Sequence, residues 1–371
     1  MEIWRWAALW VLCVGCGQGS AAVHDDASLR EFLQDVVERH DIASVSAGAM
    51  VDGQLVHSAA AGVADARTGR AATTDTLYAV ASCSKPVVGV AIARLMQRDP
   101  SLDLDTDIDE YLDWEEPFTH PAHPDVPITL RHLVTHTSGL AGDGPDDYDT
   151  YPKPDPDEAL DAWLEGLLAD DAYWLSSAPG ASEAYSNLGA ALAGLVVEKV
   201  SGQDFASFCN DEIFGALGMT DTRWRFGELS AEQQARTARP HGPDLEPYEH
   251  YGFNDYPSGQ LRTTVPDFAR LLGMLANDGV APNGQVLLTA TSVDRFESVP
   301  LFIEGGDDPD DVAAFDHSGG ETGVTAYFTY REDGRGYLYF VNSDLDDDDL
   351  EILEEELSDT LATLAGIPTD H

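Results

Sequence analysis

The feature that most constrains the fold is a nearly continuous apolar run at residues 77–96, LYAVASCSKPVVGVAIARLM. Its second half is apolar almost all round, which is typical of a helix that is buried on every side. Lys85 and Pro86 stand near its start, and Lys85 is one of only three lysines in 371 residues. Proline is tolerated in the first turn of a helix. We therefore predict a buried helix that holds a lysine at its N-terminal end.

Both ends of the chain carry patterns typical of β-hairpins and flanking helices. Two β-type runs are joined by Asp52-Gly53 near the N-terminus, and two more by Asp333-Gly334 near the C-terminus. An amphipathic helix precedes the first pair, with Ser28 and Glu31 spaced as a capping box, and a leucine-rich helix follows the second pair. The fold class predicted is α+β: an antiparallel sheet built from both chain ends, flanked by helices, with an inserted mostly helical lobe.

The charge balance excludes two classes of partner. There are 67 acidic and 20 basic residues, which gives a formal net charge of −47. Such a surface repels nucleic-acid phosphate and anionic lipid. The acidity is typical of adaptation to high salt, where screening relieves self-repulsion, and it could also steer cationic ligands. The even spread of acids along the chain favours the first interpretation.

Residues 1–22 resemble an export signal, with Arg5, a short apolar run and then small residues. The sequence VGC ending at Cys16 resembles a bacterial lipoprotein cleavage site, although Cys13 stands where such sites usually carry leucine. We expect an exported protein that is either membrane-anchored through a lipid on Cys16, periplasmic or secreted. Residues 23–371 are then expected to form one two-lobed domain.

The remaining cysteines and histidines give no metal pattern. Cys83 and Cys209 could form one disulfide, but both lie in apolar stretches, where buried free thiols are common, and we predict free thiols. His120 and His123 lie in a proline-rich segment that is more typical of a surface loop than of a metal site. No metal or organic cofactor is predicted.

Ser82 and Lys85 form the first candidate catalytic pair. Residues three apart on a helix share a face, so the hydroxyl and the amine are expected to be neighbours. Desolvation in a buried helix favours the neutral amine, which can accept a proton from a serine nucleophile. By itself the pair is equally compatible with a lysine whose amine reaches out of a helix end to solvent.

Two more segments could complete a site. Tyr185-Ser186-Asn187 lies just before a second apolar helix, where a tyrosine beside a lysine can act as general acid or base and an asparagine can bind a substrate carbonyl. The same segment could instead be an ordinary asparagine cap with a packed tyrosine. His317-Ser318-Gly319-Gly320 could offer a hydrogen bond or charge and a close backbone approach, or could be a glycine-rich turn.

Taken in order, these segments resemble the serine β-lactamase and penicillin-binding-protein superfamily, in its branch of class C β-lactamases, D-alanyl-D-alanine carboxypeptidases and esterases. The resemblance covers residues 24–371. It rests on the run at 77–96, ITLRHLVTHTSGL at 128–140, PGASEAYSNLGAALAGLVVEKVSG, IFGALGMTDTRW at 213–224, PSGQLRTTVPDFARLLGMLANDG and HSGGETG.

The resemblance implies a role for each candidate. Ser82 would be the acylated nucleophile, Lys85 its activating partner and Tyr185 the proton shuttle. Asn187 would contact a substrate amide, and His317 with Gly319 would stand where the lactamases carry a lysine and its glycine. The backbone N–H groups of Ser82 and Gly320 would form the oxyanion hole. His136 of the HTSGL segment is interpreted as part of a structural turn.

One departure bears on the substrate. His317 replaces the lysine that β-lactamases hold near the substrate carboxylate, which weakens the case for antibiotic hydrolysis but not for acyl-enzyme chemistry. The sequence therefore predicts a serine hydrolase acting on an ester, a D-amino peptide or a β-lactam, with no nucleic-acid partner. The alternative is a penicillin- or peptidoglycan-binding sensor that is acylated, or docks its ligand, without turnover.

Overall fold

The computed structural model describes residues 26–99, 101–142, 152–307 and 312–368. The strands are β1 (Ser44–Val51), β2 (Gln54–Asp65), β3 (Arg70–Ala71), β4 (Tyr78–Ala79), β5 (Arg262–Thr263), β6 (Glu304–Asp307), β7 (Ala313–Glu321), β8 (Val324–Arg331) and β9 (Gly336–Val341). The α-helices are α1 (Ala27–Arg39), α2 (Lys85–Arg98), α3 (Leu130–Val134), α4 (Leu160–Leu168), α5 (Asn187–Ser201), α6 (Phe205–Cys209), α7 (Gly215–Leu217), α8 (Ala231–Arg236), α9 (Val265–Leu275), α10 (Ala290–Ser298) and α11 (Asp347–Ala365).

The main sheet confirms that both chain ends build one antiparallel layer. Its seven strands run in the order β3-β2-β1-β9-β8-β7-β6, and every neighbouring pair is antiparallel. The first and last long strands pair directly, with Val45 opposite Val341. Helices α2 to α10 and the small sheet β4-β5 lie between these strands in the sequence, as predicted for an inserted, mostly helical lobe.

Both predicted hairpin turns are confirmed. Asp52 and Gly53 have φ angles of 51° and 67°, so both central residues adopt the left-handed conformation that a tight two-residue turn requires. Gly334, in the turn between β8 and β9, has a φ of 81°. These turns fix the register of the two hairpins that meet at the β1-β9 pair.

Two apolar layers cover the two faces of the sheet. On one face, α1 and α11 pack through Leu33, Leu353 and Leu357 against residues of β1, β2 and β9. On the other face, the lobe buries a larger core that includes most of α2 and α5. Because α2 and α5 lie inside this core, the residues at their N-terminal ends are held rigidly.

The predicted capping box at the first helix is wrong. The N-cap of α1 is Asp26, whose Oδ1 accepts hydrogen bonds from the N–H groups of Ser28 and Leu29 at 2.9 and 3.1 Å. A carboxylate interacts more strongly than a hydroxyl with the positive end of a helix, which explains why the helix begins before Ser28.

The prediction of free thiols is confirmed, because Cys83 and Cys209 are both buried and unpaired. None of the helices in the described ranges combines the length and the apolar character that a bilayer crossing would need.

A half-buried carboxyl group on α10 gives a pH-dependent prediction. Glu297 accepts a hydrogen bond from the Tyr330 hydroxyl at 3.1 Å, and burial raises the pKa of Glu297 from 4.5 to about 7. The neutral form therefore stabilises the fold; this contribution is complete below pH 4.5 and is lost as the pH rises through 7. We expect Glu297→Gln to raise the free energy of unfolding by about 1 kcal/mol at pH 8, after allowing for solvent screening.

The measurement is urea unfolding at pH 5 and pH 8. Glu351→Gln, at an exposed position of α11, is the matched control and should have the same effect at both pH values. An equal effect of Glu297→Gln at the two pH values would contradict the prediction.

Candidate active site

Ser82 lies on a strained turn that leads into α2. Residues Ala81–Ser84 form one turn of 3₁₀ helix, and the Cys83 N–H donates to the Val80 carbonyl at 3.0 Å. Ala81 has a φ of 43°, a left-handed conformation that non-glycine residues adopt only at a cost of about 1 kcal/mol or more. The turn leaves Ser82 half-buried while its neighbours are buried, so its hydroxyl is accessible at the edge of the core.

Lys85 is fully buried, with an exposed fraction of 0%. Its Nζ lies 2.9 Å from Ser82 Oγ and 2.8 Å from the Ser258 carbonyl oxygen. Pro86 is in the first turn of α2, as the sequence predicts. The alternative of a lysine reaching solvent is therefore wrong. The Nζ–Oγ distance lies in the range in which a proton passes directly between the two groups.

Tyr185 completes the group around Ser82. Lys85 Nζ lies 4.8 Å from the centre of its ring, and the side chain is 44% exposed. Its ring stacks on that of His136, with centroids 4.5 Å apart and an angle of 29° between the planes. An aromatic side chain that is this exposed yet held on two sides can meet a substrate without losing its orientation.

Asn187 is the first residue of α5, but it does not cap the helix. The N-cap is Ser186, whose Oγ accepts from the Gly189 N–H at 3.1 Å. Asn187 Oδ1 is buried and has no hydrogen-bond partner in the part of the chain that the structure describes. A buried acceptor without a partner costs about 1–3 kcal/mol, and a substrate N–H that reached Asn187 Oδ1 would remove this cost.

His317 lies on β7 and is only 5% exposed. Its Nδ1 is 2.5 Å from the Ser318 carbonyl oxygen, so Nδ1 carries the proton and Nε2 is left as an acceptor. Burial, with a smaller effect of Lys85, lowers the pKa of His317 from 6.5 to about 4. The imidazole is thus neutral at neutral pH, and it supplies a hydrogen-bonding group rather than a fixed positive charge.

The two glycines of β7 face different surroundings. A Cβ atom at Gly319 would lie 2.5 Å from the Val80 carbonyl oxygen and 3.1 Å from the Ser82 nitrogen, so only glycine fits there. At Gly320 a Cβ atom would meet nothing within 4 Å. Cys83 Sγ, 3.3 Å from the His317 carbonyl oxygen, also ties the turn to the strand. The structure therefore brings five of the predicted site residues together: Lys85 and Gly319 lie against the Ser82 turn, and Tyr185 lies beside Lys85 and His317. Asn187 and Gly320 follow closely after Tyr185 and Gly319 in the chain.

His136 is the contact that sequence reasoning missed. Its backbone has a φ of 53° and its carbonyl accepts from the Ala184 N–H at 2.7 Å, so it does belong to a turn. Its ring, however, also contacts Tyr185, and its Nδ1 accepts from the Ser186 N–H at 3.0 Å. Burial lowers the pKa of His136 to about 3. The only sequence signal for this contact is that the HTSGL segment precedes the YSN segment, and this order does not reveal that the rings of His136 and Tyr185 stack.

A cleft of about 240 Å³ opens beside the tyrosine. It is lined by residues that include Thr135, His136, Glu183, Tyr185, Phe302, Glu304 and His317. Within the described ranges, no group of three or more histidine, cysteine, aspartate or glutamate side chains is arranged to hold a metal ion.

Comparison with protein families decides the relationship. A family model described as Beta-lactamase matches residues 29–361. The chain belongs to the Beta-lactamase family. This family, within the serine β-lactamase and penicillin-binding-protein superfamily, consists of serine hydrolases, which include esterases, carboxypeptidases and β-lactamases.

Individual relatives cover different shares of the chain. Penicillin-binding protein 4 of Amycolatopsis lactamdurans is 28% identical over 280 residues, 72% of this chain and 68% of that protein. Esterase EstB of Burkholderia gladioli is 33% identical over 222 residues, 58% of this chain and 54% of the esterase, so the match spans about half of its length. The D-alanine carboxypeptidase AmpC of Burkholderia cenocepacia has the same fold, with a TM-score of 0.68 and 21% identity over 90% of this chain and 99% of that chain.

Proposed function

We propose that this member of the Beta-lactamase family is an exported serine hydrolase that forms an acyl-enzyme on Ser82, and that its substrates are carboxylic esters. The observation that carries the proposal is the 2.9 Å separation of Lys85 Nζ and Ser82 Oγ, with the lysine fully buried. A buried amine at this distance can hold the serine proton during attack on a carbonyl carbon.

In the proposed reaction, Ser82 Oγ bonds to the carbonyl carbon and its proton passes to Lys85 and Tyr185. The backbone N–H groups of Ser82 and Gly320 stabilise the oxyanion. Tyr185 then gives the proton to the leaving oxygen as the carbon–oxygen bond breaks. A water molecule then bonds to the acyl carbon and loses a proton to Tyr185 and Lys85. The bond between that carbon and Ser82 Oγ breaks, Oγ takes the proton back, and the acid is released. Asn187 and His317 orient the substrate, and no step requires a cofactor.

The neutral imidazole of His317 favours esters over D-amino peptides and β-lactams, the two other substrate classes that the sequence leaves open. Substrates of the latter two kinds carry a carboxylate, and a neutral imidazole attracts it less than a fixed cation would. The similarity to esterase EstB over 58% of this chain agrees with this choice.

The test compares the full chain with Ser82→Ala on nitrophenyl acetate, a D-alanyl-D-alanine peptide, a chromogenic cephalosporin and a fluorescent penicillin. We expect the Ser82-dependent kcat/KM for nitrophenyl acetate to exceed that for each of the other three compounds by about tenfold or more. Ser101→Ala, at an exposed serine beyond the C-terminal end of α2, serves as control. Absence of Ser82-dependent turnover and labelling on every compound would overturn the proposal, and stable penicillin labelling without turnover would favour the sensor instead.

Export forms a separate part of the proposal and rests on residues 1–22, which lie outside the described residues. We expect the full chain expressed in a bacterium with lipoprotein processing to enter the membrane fraction, and Cys16→Ala to leave it. Cys209→Ala controls for the loss of a thiol. Equal membrane association of Cys16→Ala and the parent chain would contradict the lipid anchor, and retention of both in the cytoplasm would contradict export.

A further inference from the structure

The cleft beside Tyr185 lies where a leaving group must go if the proposed function is right. Tyr185 donates its proton to the leaving oxygen, so the alcohol part of an ester lies against this tyrosine during acylation. The cleft is bordered by Tyr185 and His317 and extends to Glu183 and Glu304. Its lining therefore decides which alcohols are accepted.

This lining carries negative charge and hydrogen-bond acceptors. Glu183 and Glu304 are both exposed at its surface, and His317 presents Nε2 as an acceptor because its Nδ1–H is donated to Ser318. Both imidazoles, His136 and His317, are neutral at neutral pH because burial lowers the pKa of each, to about 3 and about 4. The two imidazoles therefore do not offset the carboxylates.

Lys85, whose Nζ lies 4.8 Å from the centre of the Tyr185 ring, is not among the residues that line the cleft. No lysine or arginine is among the described residues that line it. Lys85 belongs to the nucleophile, since its Nζ contacts Ser82 Oγ and the Ser258 carbonyl. The internal stretches 143–151 and 308–311, which the structure does not describe, contain neither lysine nor arginine in the sequence.

Aromatic rings form the second part of the lining. Tyr185 stacks on His136, and Phe302 meets His136 edge to face with centroids 5.3 Å apart. Since Tyr185 is covered by His136 and Lys85, and Phe302 is only 2% exposed, these rings offer the cleft an apolar wall rather than a free aromatic face. Such a wall packs against the methyl groups of an alkylammonium ion. Carboxylates beside aromatic rings are a combination suited to a substituted ammonium ion.

We propose that the cleft selects esters whose alcohol carries a positive charge, of the choline type, over esters of neutral or anionic alcohols. The net charge of −47 acts in the same direction, because it concentrates cations around the protein. This inference rests on the proposed function for the assignment of the leaving-group side. It adds a substrate class that the catalytic residues alone do not specify.

The experiment uses three thioacetates of similar size: acetylthiocholine, its neutral 3,3-dimethylbutyl isostere, and S-acetyl-3-mercaptopropionate. Thiol release by the full chain is followed at low ionic strength and in 0.5 M sodium chloride, an ionic strength chosen because exposed charges are then largely screened. We expect kcat/KM for the cationic ester to exceed that of the neutral one by roughly tenfold at low salt, and by roughly threefold or less at high salt.

Charge-neutral variants locate the effect. Glu183→Gln and Glu304→Gln should each reduce the cation preference about threefold, and the double variant should nearly abolish it. Glu351→Gln, on the helix that covers the opposite face of the sheet, should leave the preference unchanged. Equal kcat/KM for the cationic and neutral esters, or an equal effect of Glu351→Gln, would overturn the inference while Ser82-dependent turnover upholds the proposed function.

A binding measurement keeps the inference testable if turnover fails. Ligand-observed NMR on the Ser82→Ala protein compares choline with 3,3-dimethyl-1-butanol. We expect choline to bind more tightly than the neutral alcohol by about threefold or more, and this difference to disappear in the Glu183→Gln/Glu304→Gln double variant. That result supports the cleft as a cation site even if the proposed enzyme activity is not found. Equal binding of the two alcohols overturns it.

Discussion

Replacing Lys85 with methionine is expected to lower kcat/KM for ester hydrolysis by roughly 10³- to 10⁴-fold, the upper part of the range for loss of a general base. Methionine preserves the length and apolar stem of the side chain but cannot accept the Ser82 proton. Methionine fills the buried space of Lys85 but leaves the Ser258 carbonyl without its donor, which costs about 1–3 kcal/mol, less than the stability of a typical folded domain.

The control for this substitution is Lys199→Met. Lys199 is half-buried on α5 and forms ion pairs with Asp113 and Asp161, so its loss also costs electrostatic contacts. We expect kcat/KM of Lys199→Met to change by less than about threefold. Ion pairs near the surface affect the free energy of unfolding rather than catalysis, and their contribution to it is small. Thermal unfolding of both variants checks that they are folded. Activity of Lys85→Met within tenfold of the parent chain would contradict the assigned role.

The second large effect concerns the contact between β7 and the nucleophile turn. We expect Gly319→Ala to lower kcat/KM about 100-fold and the free energy of unfolding by about 1–3 kcal/mol, as in other cases of overpacking. Its Cβ would lie 2.5 Å from the Val80 carbonyl oxygen, which is backbone and cannot turn aside, so the turn carrying Ser82 must shift.

Gly320→Ala is the matched substitution one residue further along. Its Cβ would meet nothing within 4 Å, and alanine keeps the backbone N–H assigned to the oxyanion hole. We expect kcat/KM within about threefold of the parent chain and a change in unfolding free energy within about 0.5 kcal/mol. The measurements are kcat/KM from steady-state kinetics and the free energy of unfolding in urea, compared between Gly319→Ala and Gly320→Ala. Equal losses in both would show that the close approach at Gly319 is not the cause.

Much of the fold could be predicted because its determinants are local. Asp52-Gly53 and Asp333-Gly334 specify tight turns through their own backbone preferences, so both hairpins could be placed from dipeptides and flanking apolar residues. The start of α1 could not be predicted in this way. Asp26 and Ser28 are both good N-cap residues, and which of them caps the helix depends on the geometry of the folded helix.

The candidate catalytic group was partly predictable for a similar reason. Ser82 and Lys85 are three residues apart on one turn, a distance that helical geometry fixes. The Ser258 carbonyl that accepts from Lys85 is a backbone atom 173 residues away and leaves no signature in residue types. The neutral state of His317 depends on burial in the assembled core, which residue spacing does not encode.

The pairing of β1 with β9 has a consequence for how the chain is made. The central strands of the sheet cannot join until residue 341 has emerged, almost 300 residues after Val45. Pairing over such a separation is slow, because the chain loses the entropy of a long loop before any contact between the strands stabilises the pair. During synthesis the N-terminal hairpin of β1 and β2 therefore remains without its pairing strand β9. For a chain exported as proposed, that delay favours passage through a translocation channel before the sheet has formed.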